Sequence, residues 1–475
     1  MSSEVKFYDL VVLGGGPAGI VSAATATESH WNVALVDRNH EIGGAGINTG
    51  TVPSKTLRET ALALSGLKTR DLYGVDLSLR REATVADFLR HEQQVRAGFN
   101  VMITNRLRDQ KADIFYGAAS FVDPHTVRLC AARSRFAGSV PLVPDGETLL
   151  NGERILIATG SSPIRPPLFP FGDPGVYDSD TILELDRLPK TLAVVGSGVI
   201  GCEYGCTFAA LGTRVYIIDG RDTLLPFLDR EVSRALVAGM ERQGVSFHWN
   251  ERVLACAATE SGVTLTLSSG ESLAADAVLV AAGRNSNTES LNLAAAGVVT
   301  GERGLIRVDD HFRTNVPHIY AAGDVIGFPA LASASMEQAR CAVRFALGLE
   351  VPEFSRFLPN GIYTIPEVSM VGETEESLRL QGVDYVVGRA GYDGNARGRI
   401  IGDRDGFLKL LFRKQDRKLL GVHIIGEQAT EVVHIGLMAM LTGCTANVFM
   451  EACFNAPTLG ALYKSATIDA LRPRT

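Results

Sequence analysis

Residues 8–28, YDLVVLGGGPAGIVSAATATE, and residues 32–37, NVALVD, decide the fold. An apolar, β-branched run gives way to three glycines and then to a stretch of helix formers, so the segment resolves into strand, tight turn and helix, and NVALVD closes a βαβ unit. Gly14, Gly16 and Gly19 have the G-x-G-x-x-G spacing, and Asp37 ends the next strand, where the acidic partner of this fingerprint belongs. The first glycine permits the turn, the second lets backbone approach a pyrophosphate, and the third lets helix pack on strand. The helix N-terminus adds N–H groups and partial positive charge. Asp37 is the expected partner of a ribose diol.

The same grammar returns in residues 191–212, TLAVVGSGVIGCEYGCTFAALG, and in RVYIID at 214–219. Gly196, Gly198 and Gly201 repeat the fingerprint with Asp219 in the acidic position, so the module is an internal repeat and two dinucleotides are expected. Arg221 follows two residues later, where a guanidinium meets the 2′-phosphate of NADP, so the loop Asp219-Gly220-Arg221-Asp222 carries features of both specificities. The plain alternative for Arg221 is a solvated surface arginine.

A chain of 475 residues exceeds what one hydrophobic core supports, so several domains are expected. Hydrophobic residues at 46% and charged residues at 21% are the balance of an ordinary globular protein, and no window offers the ~18 uninterrupted apolar residues of a membrane span. The beginning, MSSEVKFYDL, has neither an apolar signal core nor an Arg-rich transit segment, which makes a cytoplasmic address the expectation. A net charge of −7 argues against nucleic acid as a partner. The seven cysteines are odd in number and lack C-x-x-C spacing, so reduced, packed thiols are expected, including Cys202 and Cys206, one helical turn apart. His311, His318, His423 and His434 show no paired metal-ligand spacing, and no metal is expected.

Further along, a strand ends in Ala158-Thr159-Gly160 before a Pro/Gly-rich stretch, DAVLVAAGRNSNT ends the second module, and HIYAAGDVIG looks like a return to the first. After Val351-Pro352 the pattern changes to strands such as FLKLLF and LLGVHIIG and an apolar helix, EVVHIGLMAMLTG, an α+β arrangement.

With GGAGINTGTVPSK at 43–55, and IATGSSP, GSGVIGCE, VAAGRNSNT, HIYAAGD, YTIPEVSMVGETE and APTLGALY in order, the chain from about Tyr8 to Leu471 resembles the pyridine nucleotide:disulfide oxidoreductases. The resemblance implies an α/β protein with two Rossmann-like three-layer domains and an α+β dimerisation domain. Residues 1–155 and 286–350 would bind FAD, 156–285 NAD or NADP, and 351–475 would form the interface of a homodimer. Around the first fingerprint the implied cofactor-binding residues are Gly14, Gly16, Pro17, Ala18, Gly19, Asp37, Arg38, Gly43, Gly44, Gly46, Thr51, Ser54, Lys55, Ala118, Thr159, Gly160, Gly323 and Asp324. Around the second they are Gly196, Gly198, Val199, Ile200, Glu203, Asp219, Arg221, Gly283 and Arg284. Lys55 matches the family lysine beside flavin N5 and Glu203 its ion-pair partner, the two residues expected to carry catalysis; Asp324 matches the aspartate that binds the ribityl chain.

In disulfide-reducing members two cysteines stand where this chain has Gly46 and Thr51, and a histidine–glutamate pair where it has Ala456 and Ala461. Neither glycine nor threonine forms a disulfide, and a methyl group moves no proton. What the resemblance leaves is hydride exchange between nicotinamide and flavin. Within the family the chain most resembles the soluble pyridine nucleotide transhydrogenases, which share the threonine of NTGTVPSKTLRE and the histidine-free FNAPTLG; Gly46 and Ala461 depart from residues common there. Transhydrogenation from NADPH to NAD through flavin N5 is the expected activity. An NAD(P)H:quinone or dye reductase and a flavin-bound regulatory protein stand as alternatives.

Overall fold

The computed structural model describes residues 5–66, 84–130, 148–260, 262–351, 354–355 and 357–473. Residues 1–4 of the N-terminal segment, and Pro352 of the Val351-Pro352 boundary, lie outside them. The chain divides into two compact units. The first comprises Met1–Pro53, Arg90–Ile164 and Gly283–Ser355, the second Ser54–Leu89, Arg165–Ala282 and Arg356–Thr475.

The first unit is organised by a seven-stranded sheet. Parallel strands Asp113–Tyr116, Val33–Asp37, Val5–Leu13 and Thr148–Ile157 lie side by side, and Ile319–Ala321 pairs in parallel with the end of Thr148–Ile157. Antiparallel Thr126–Cys130 and Ala118–Phe121 complete the edge. Every residue of Val33–Asp37 is buried, as a parallel strand covered on both faces requires. Leu10, Val12, Val33 and Leu35 face the alanine-rich helices Pro17–Glu28 and Ala332–Ala346, while Val11, Leu13, Ala34 and Val36 face a second cluster with Phe121, Val127 and Leu129. The period of two thus feeds two cores from one sheet.

In the second unit a five-stranded parallel sheet runs in the order Val245–Trp249, Arg214–Asp219, Thr191–Val195, Ala277–Val280, Val176–Asp178. Helix Val199–Ala210 packs on it through Cys202, Cys206 and Phe208 against Leu192, Val194, Val215 and Ile217. A five-stranded antiparallel sheet follows, Asn360–Ile362, Val368–Gly372, Leu419–Ile425, Phe407–Arg413, Tyr385–Gly391, covered by helices Ala429–Leu441 and Leu462–Leu471. Two nucleotide-binding-type α/β modules and an α+β C-terminal region are the architecture the sequence implies. Among the described residues no helix is long and apolar enough to cross a membrane.

One departure from an apolar core stands out here. Lys409, in the middle of Phe407–Arg413, is 1% exposed, and its Nζ lies 2.8 Å from Asp229, 2.9 Å from Glu231 and 2.5 Å from Glu375. Three carboxylates grouped as for a metal ion surround an ammonium instead. His423 on the adjacent strand is equally buried, shares a hydrogen bond of 2.9 Å with the Glu373 carbonyl, and is held below its ordinary pKa by burial.

Candidate functional site

Each three-glycine turn does its work through what a Cβ would meet. Gly14 has φ +107°, and a Cβ at Gly19 would collide with the Gly14 carbonyl oxygen. At Gly16 the nearest atom would be 3.8 Å away. The second turn repeats the pattern: a Cβ at Gly196 would lie 2.5 Å from the Ala281 oxygen, one at Gly201 would strike the Gly196 oxygen, and one at Gly198 would meet nothing within 4 Å. The outer glycines are used up by packing and the middle one has room for a Cβ, with the Gly44 backbone at van der Waals distance over Gly16 and open space at Gly198, the arrangement that lets backbone approach a pyrophosphate at a helix N-terminus. Pro17 and Ala18 begin helix Pro17–Glu28, and Val199 and Ile200 begin Val199–Ala210.

The contrast among these glycines yields a paired prediction. Gly201→Ala is expected to destabilise the protein by roughly 1–3 kcal/mol, because its neighbour is backbone that must shift. Gly198→Ala, at φ −72°, is expected to leave the melting temperature unchanged and to weaken NADPH binding. Thermal denaturation and nucleotide titration separate the two; unaltered NADPH affinity in Gly198→Ala would remove the cradle assignment.

In the first unit the surroundings fit FAD. Asp37 accepts the Gly15 N–H at 2.7 Å on one oxygen and the Asn39 N–H at 2.7 Å on the other, which leaves acceptor capacity for ribose hydroxyls. Burial pushes its carboxyl up, opposed by those two N–H groups. Gly43 donates to the Gly15 carbonyl at 2.7 Å, and a Cβ at Gly44 would be 2.8 Å from Gly16 Cα, so the segment after Asp37 folds back over the glycine turn. Ala118 follows Gly117, whose N–H reaches the Asp37 carbonyl at 2.8 Å; Arg38 is exposed. Gly323, φ +83°, lies against Ala18 and Ser335. Beside Gly160, φ +68°, the buried Thr159 hydroxyl has no partner among the described residues, an orphan that a ligand oxygen would satisfy. Asp324 accepts the Ser161 hydroxyl at 2.7 Å, and Arg284 donates to Ser161 from Nε at 2.8 Å and Nη2 at 2.6 Å. Arg284 therefore belongs with Asp324 and the first cradle, since Arg284–Ser286 pairs with Ser161–Pro163 after Gly283 accepts the Ile164 N–H.

Gly46 lies within a turn, Ala45–Thr49, and Thr51 begins the helix Thr51–Ser65 that follows it; the Gly50 N–H on the Ala45 carbonyl at 2.7 Å helps to close the turn. A Cβ at Gly46 would lie 2.5 Å from Pro17 Cγ, so a side chain there meets a rigid ring. All seven cysteines are free; Cys202 and Cys206 are buried, and burial pushes both thiols up, Cys206 to about 12.

In the second unit, the part of helix Thr51–Ser65 from Ser54 onward brings Lys55 to Glu203. Nζ lies 2.6 Å from Oε2 and 3.2 Å from the Ser54 hydroxyl, and Ser54 donates to the same Glu203 oxygen at 3.3 Å. Glu203, 5% exposed, is oriented from its other oxygen by the Tyr363 backbone N–H at 2.9 Å, and Lys55 Nζ sits 4.9 Å over the Tyr363 ring. The ammonium is held on three sides by a carboxylate, a hydroxyl and an aromatic face. Tyr363 was not singled out from sequence, although YTIPEVSMVGETE contains it; Ser161 and Ser197 were missed in the same way.

Asp219 is fully engaged. Its Oδ1 accepts Arg221 N and Nε, both at 2.9 Å; its Oδ2 accepts Ser197 N at 2.7 Å, Ser197 Oγ at 2.8 Å and Arg221 Nη2 at 2.9 Å. Burial works to raise this carboxyl, but the Arg221 and Ser197 donors outweigh it and hold the group well below the usual carboxylate range.

Residues 8–344 match the model of the pyridine nucleotide-disulphide oxidoreductases and residues 358–466 that family's dimerisation domain. The chain is similar to proteins named soluble pyridine nucleotide transhydrogenase from Mycobacterium bovis, 44% identical over 467 residues, and Pseudomonas putida, 39% over 468, each match covering 98% of both chains. Among solved structures, the HOCl-induced flavoprotein disulfide reductase RclA from Escherichia coli aligns with a TM-score of 0.87 at 28% identity, over 97% of this chain and 99% of that one. LpdA from Mycobacterium tuberculosis aligns with a TM-score of 0.87 at 26% identity, over 98% and 99%. Because both glycine cradles and the antiparallel C-terminal sheet fall inside these matches in their proper order, the chain belongs to the pyridine nucleotide-disulphide oxidoreductase family and is an FAD-dependent oxidoreductase of nicotinamide nucleotides.

Proposed function

We propose that this protein exchanges hydride between NADPH and NAD, as a transhydrogenase that uses FAD and no redox disulfide. The observation that carries the reading is a selective loss: Gly46, Thr51, Ala456 and Ala461 stand where thiol chemistry needs sulfur, imidazole and carboxylate, while Lys55 and Glu203 form a close ion pair. The names of the M. bovis and P. putida relatives support it. The disulfide reductase named among the structural relatives does not carry over, because dithiol exchange needs two sulfurs on this loop.

FAD, when bound, supplies a two-electron carrier that takes hydride from one nicotinamide and returns it to the next. The chain's own residues bind and orient. The Gly14 to Gly19 turn, Asp37 and Asp324 would hold FAD, and the Gly196 to Gly201 turn would hold the pyrophosphate of NAD or NADP at the start of Val199–Ala210. The Lys55 ammonium, held in place by Glu203 at 2.6 Å, offers a fixed positive charge for hydride transfer. Donor and acceptor are chemically alike, so no proton relay is needed and the missing histidine is no handicap. We further propose a homodimer formed through residues 358–466; Met438, Leu441, Val448 and Met450 on helices Ala429–Leu441 and Asn447–Glu451 leave apolar surface exposed.

The test is anaerobic. FAD-loaded protein reduced with NADPH and then mixed with thio-NAD is expected to raise the absorbance of reduced thio-NAD over many turnovers. Silence in this assay, with rapid turnover of a quinone, would replace the transhydrogenase reading by a quinone reductase.

A further inference from the structure

A transhydrogenase reading places an unusual demand on the second cradle: one site must take a nucleotide with a 2′-phosphate and then one with a 2′-hydroxyl. An uncommitted aspartate at the strand end accepts the hydroxyl and repels the phosphate; an uncommitted arginine does the reverse. Asp37 in the first cradle is of the uncommitted kind, with two backbone donors and the next residue, Arg38, exposed. Asp219 differs. Five donor contacts reach a carboxylate with about four acceptor sites, two of them from the Arg221 guanidinium fork.

We propose that Asp219 and Arg221 form a charge-compensated reader that lets this one site bind both NADP and NAD. The Asp219 charge no longer repels a phosphate, because the guanidinium lies on it at 2.9 Å. Arg221 spends two of its five N–H donors, from Nε and Nη2, on Asp219, and its side chain is 49% exposed, so about three remain for phosphate oxygens without the pair having to break. A 2′-hydroxyl must displace one donor from the crowded carboxylate and is held less tightly than at a free aspartate. Arg252 is exposed, its side chain would lie 3.4 Å from a Cβ at Gly220, and it forms no ion pair among the described residues, so a second cation favours phosphate on the same side. Neither nucleotide is rejected and neither is strongly preferred.

The inference rests on the transhydrogenase reading for its purpose, but its test does not use hydride transfer. Calorimetry on FAD-loaded protein with AMP and with adenosine 2′,5′-bisphosphate probes the ribose end alone. In the wild type the two affinities are expected to lie within about tenfold of each other. Arg221→Leu should weaken the bisphosphate by at least about tenfold, the scale of one charge-assisted hydrogen bond, while AMP holds or tightens. Asp219→Asn should weaken AMP and spare the bisphosphate, and Arg221→Lys should recover part of the bisphosphate affinity. Equal loss of both probes in Arg221→Leu, with FAD content and circular dichroism unchanged, overturns the reader, as does no change in either. If the probe pattern holds but thio-NAD is not reduced, the hydride-exchange reading fails and the dual-binding site stands; if thio-NAD is reduced but the variants do not separate the probes, the reader alone fails.

Discussion

Lys409→Met is expected to lower the free energy of unfolding by on the order of 3–5 kcal/mol, the cost of stranding buried carboxylates without their cation. Asp229 is as buried as Lys409, at 1% exposure, and accepts from it on both oxygens at 2.8 and 2.9 Å. Arg389, which reaches Glu231 at 2.8 Å and Glu375 at 3.7 Å, compensates only the outer part of the cluster. The pH dependence carries the sign. Burial raises the carboxyls of Asp229, Glu231 and Glu375, but their cationic and hydrogen-bonding neighbours, Lys409 among them, outweigh it, so all three stay ionised below the usual range. Their contribution is complete above the unfolded carboxylate range, about pH 4, and is lost as pH falls through the lower folded values. Lys409 is itself raised against the effect of burial, so its contribution lasts to about pH 10 and is lost above. In the variant, acid neutralises the stranded carboxylates, so the gap to wild type should be widest near neutrality and close below about pH 4. Urea denaturation across pH measures it. A gap that does not depend on pH would mean that lost packing, not charge, sets the cost.

The second large effect is on rate. Lys55→Met is expected to slow bleaching of bound FAD by NADPH roughly a hundredfold, the usual scale for removing one preorganised charge from a reacting centre. The ion pair at 2.6 Å, the Ser54 hydroxyl and the Tyr363 ring keep that charge in one position, so little is spent on reorganisation. Glu203→Gln keeps an oxygen for the Tyr363 N–H and leaves Lys55 in place, and a smaller loss of about tenfold is expected there. Lys55→Met leaves the buried Glu203 carboxylate without its cation and is expected to lose some stability, whereas Glu203→Gln leaves no stranded charge in the core, so FAD content and circular dichroism accompany the rates. Anaerobic stopped-flow gives the rates and a dye-coupled titration gives the flavin potential. An unchanged rate and potential in Lys55→Met with full FAD content would take Lys55 out of the reacting centre.

Much of this was legible along the chain because glycine turns are local demands. The spacing of Gly196, Gly198 and Gly201 states which positions pack and which stays open: a Cβ at the first or third would meet backbone, and one at the second nothing within 4 Å. The unbroken apolar run from Leu10 to Leu13 likewise announces a strand with two covered faces. Tyr363 was another matter. Its contribution to Glu203 is a main-chain N–H, which every residue type but proline offers, and the two are 160 positions apart. Ser161 was hidden for the same reason, since a serine next to Gly160 says nothing of a partner at Asp324, 163 positions on.

By itself the sequence determined the two glycine turns, their order, and the lack of cysteine at Gly46 and Thr51, because each depends on residue type within a few positions. Only the tertiary structure decided which polar groups are already committed. Asp37 keeps acceptor sites free while Asp219, in the equivalent place, is saturated by Ser197 and Arg221. Lys409, the one charge within FLKLLF, is buried against Asp229, 180 positions away, a partner that no local spacing indicates. Hydrogen-bond capacity is short-ranged and exhaustible, and what exhausts it is brought there by the fold.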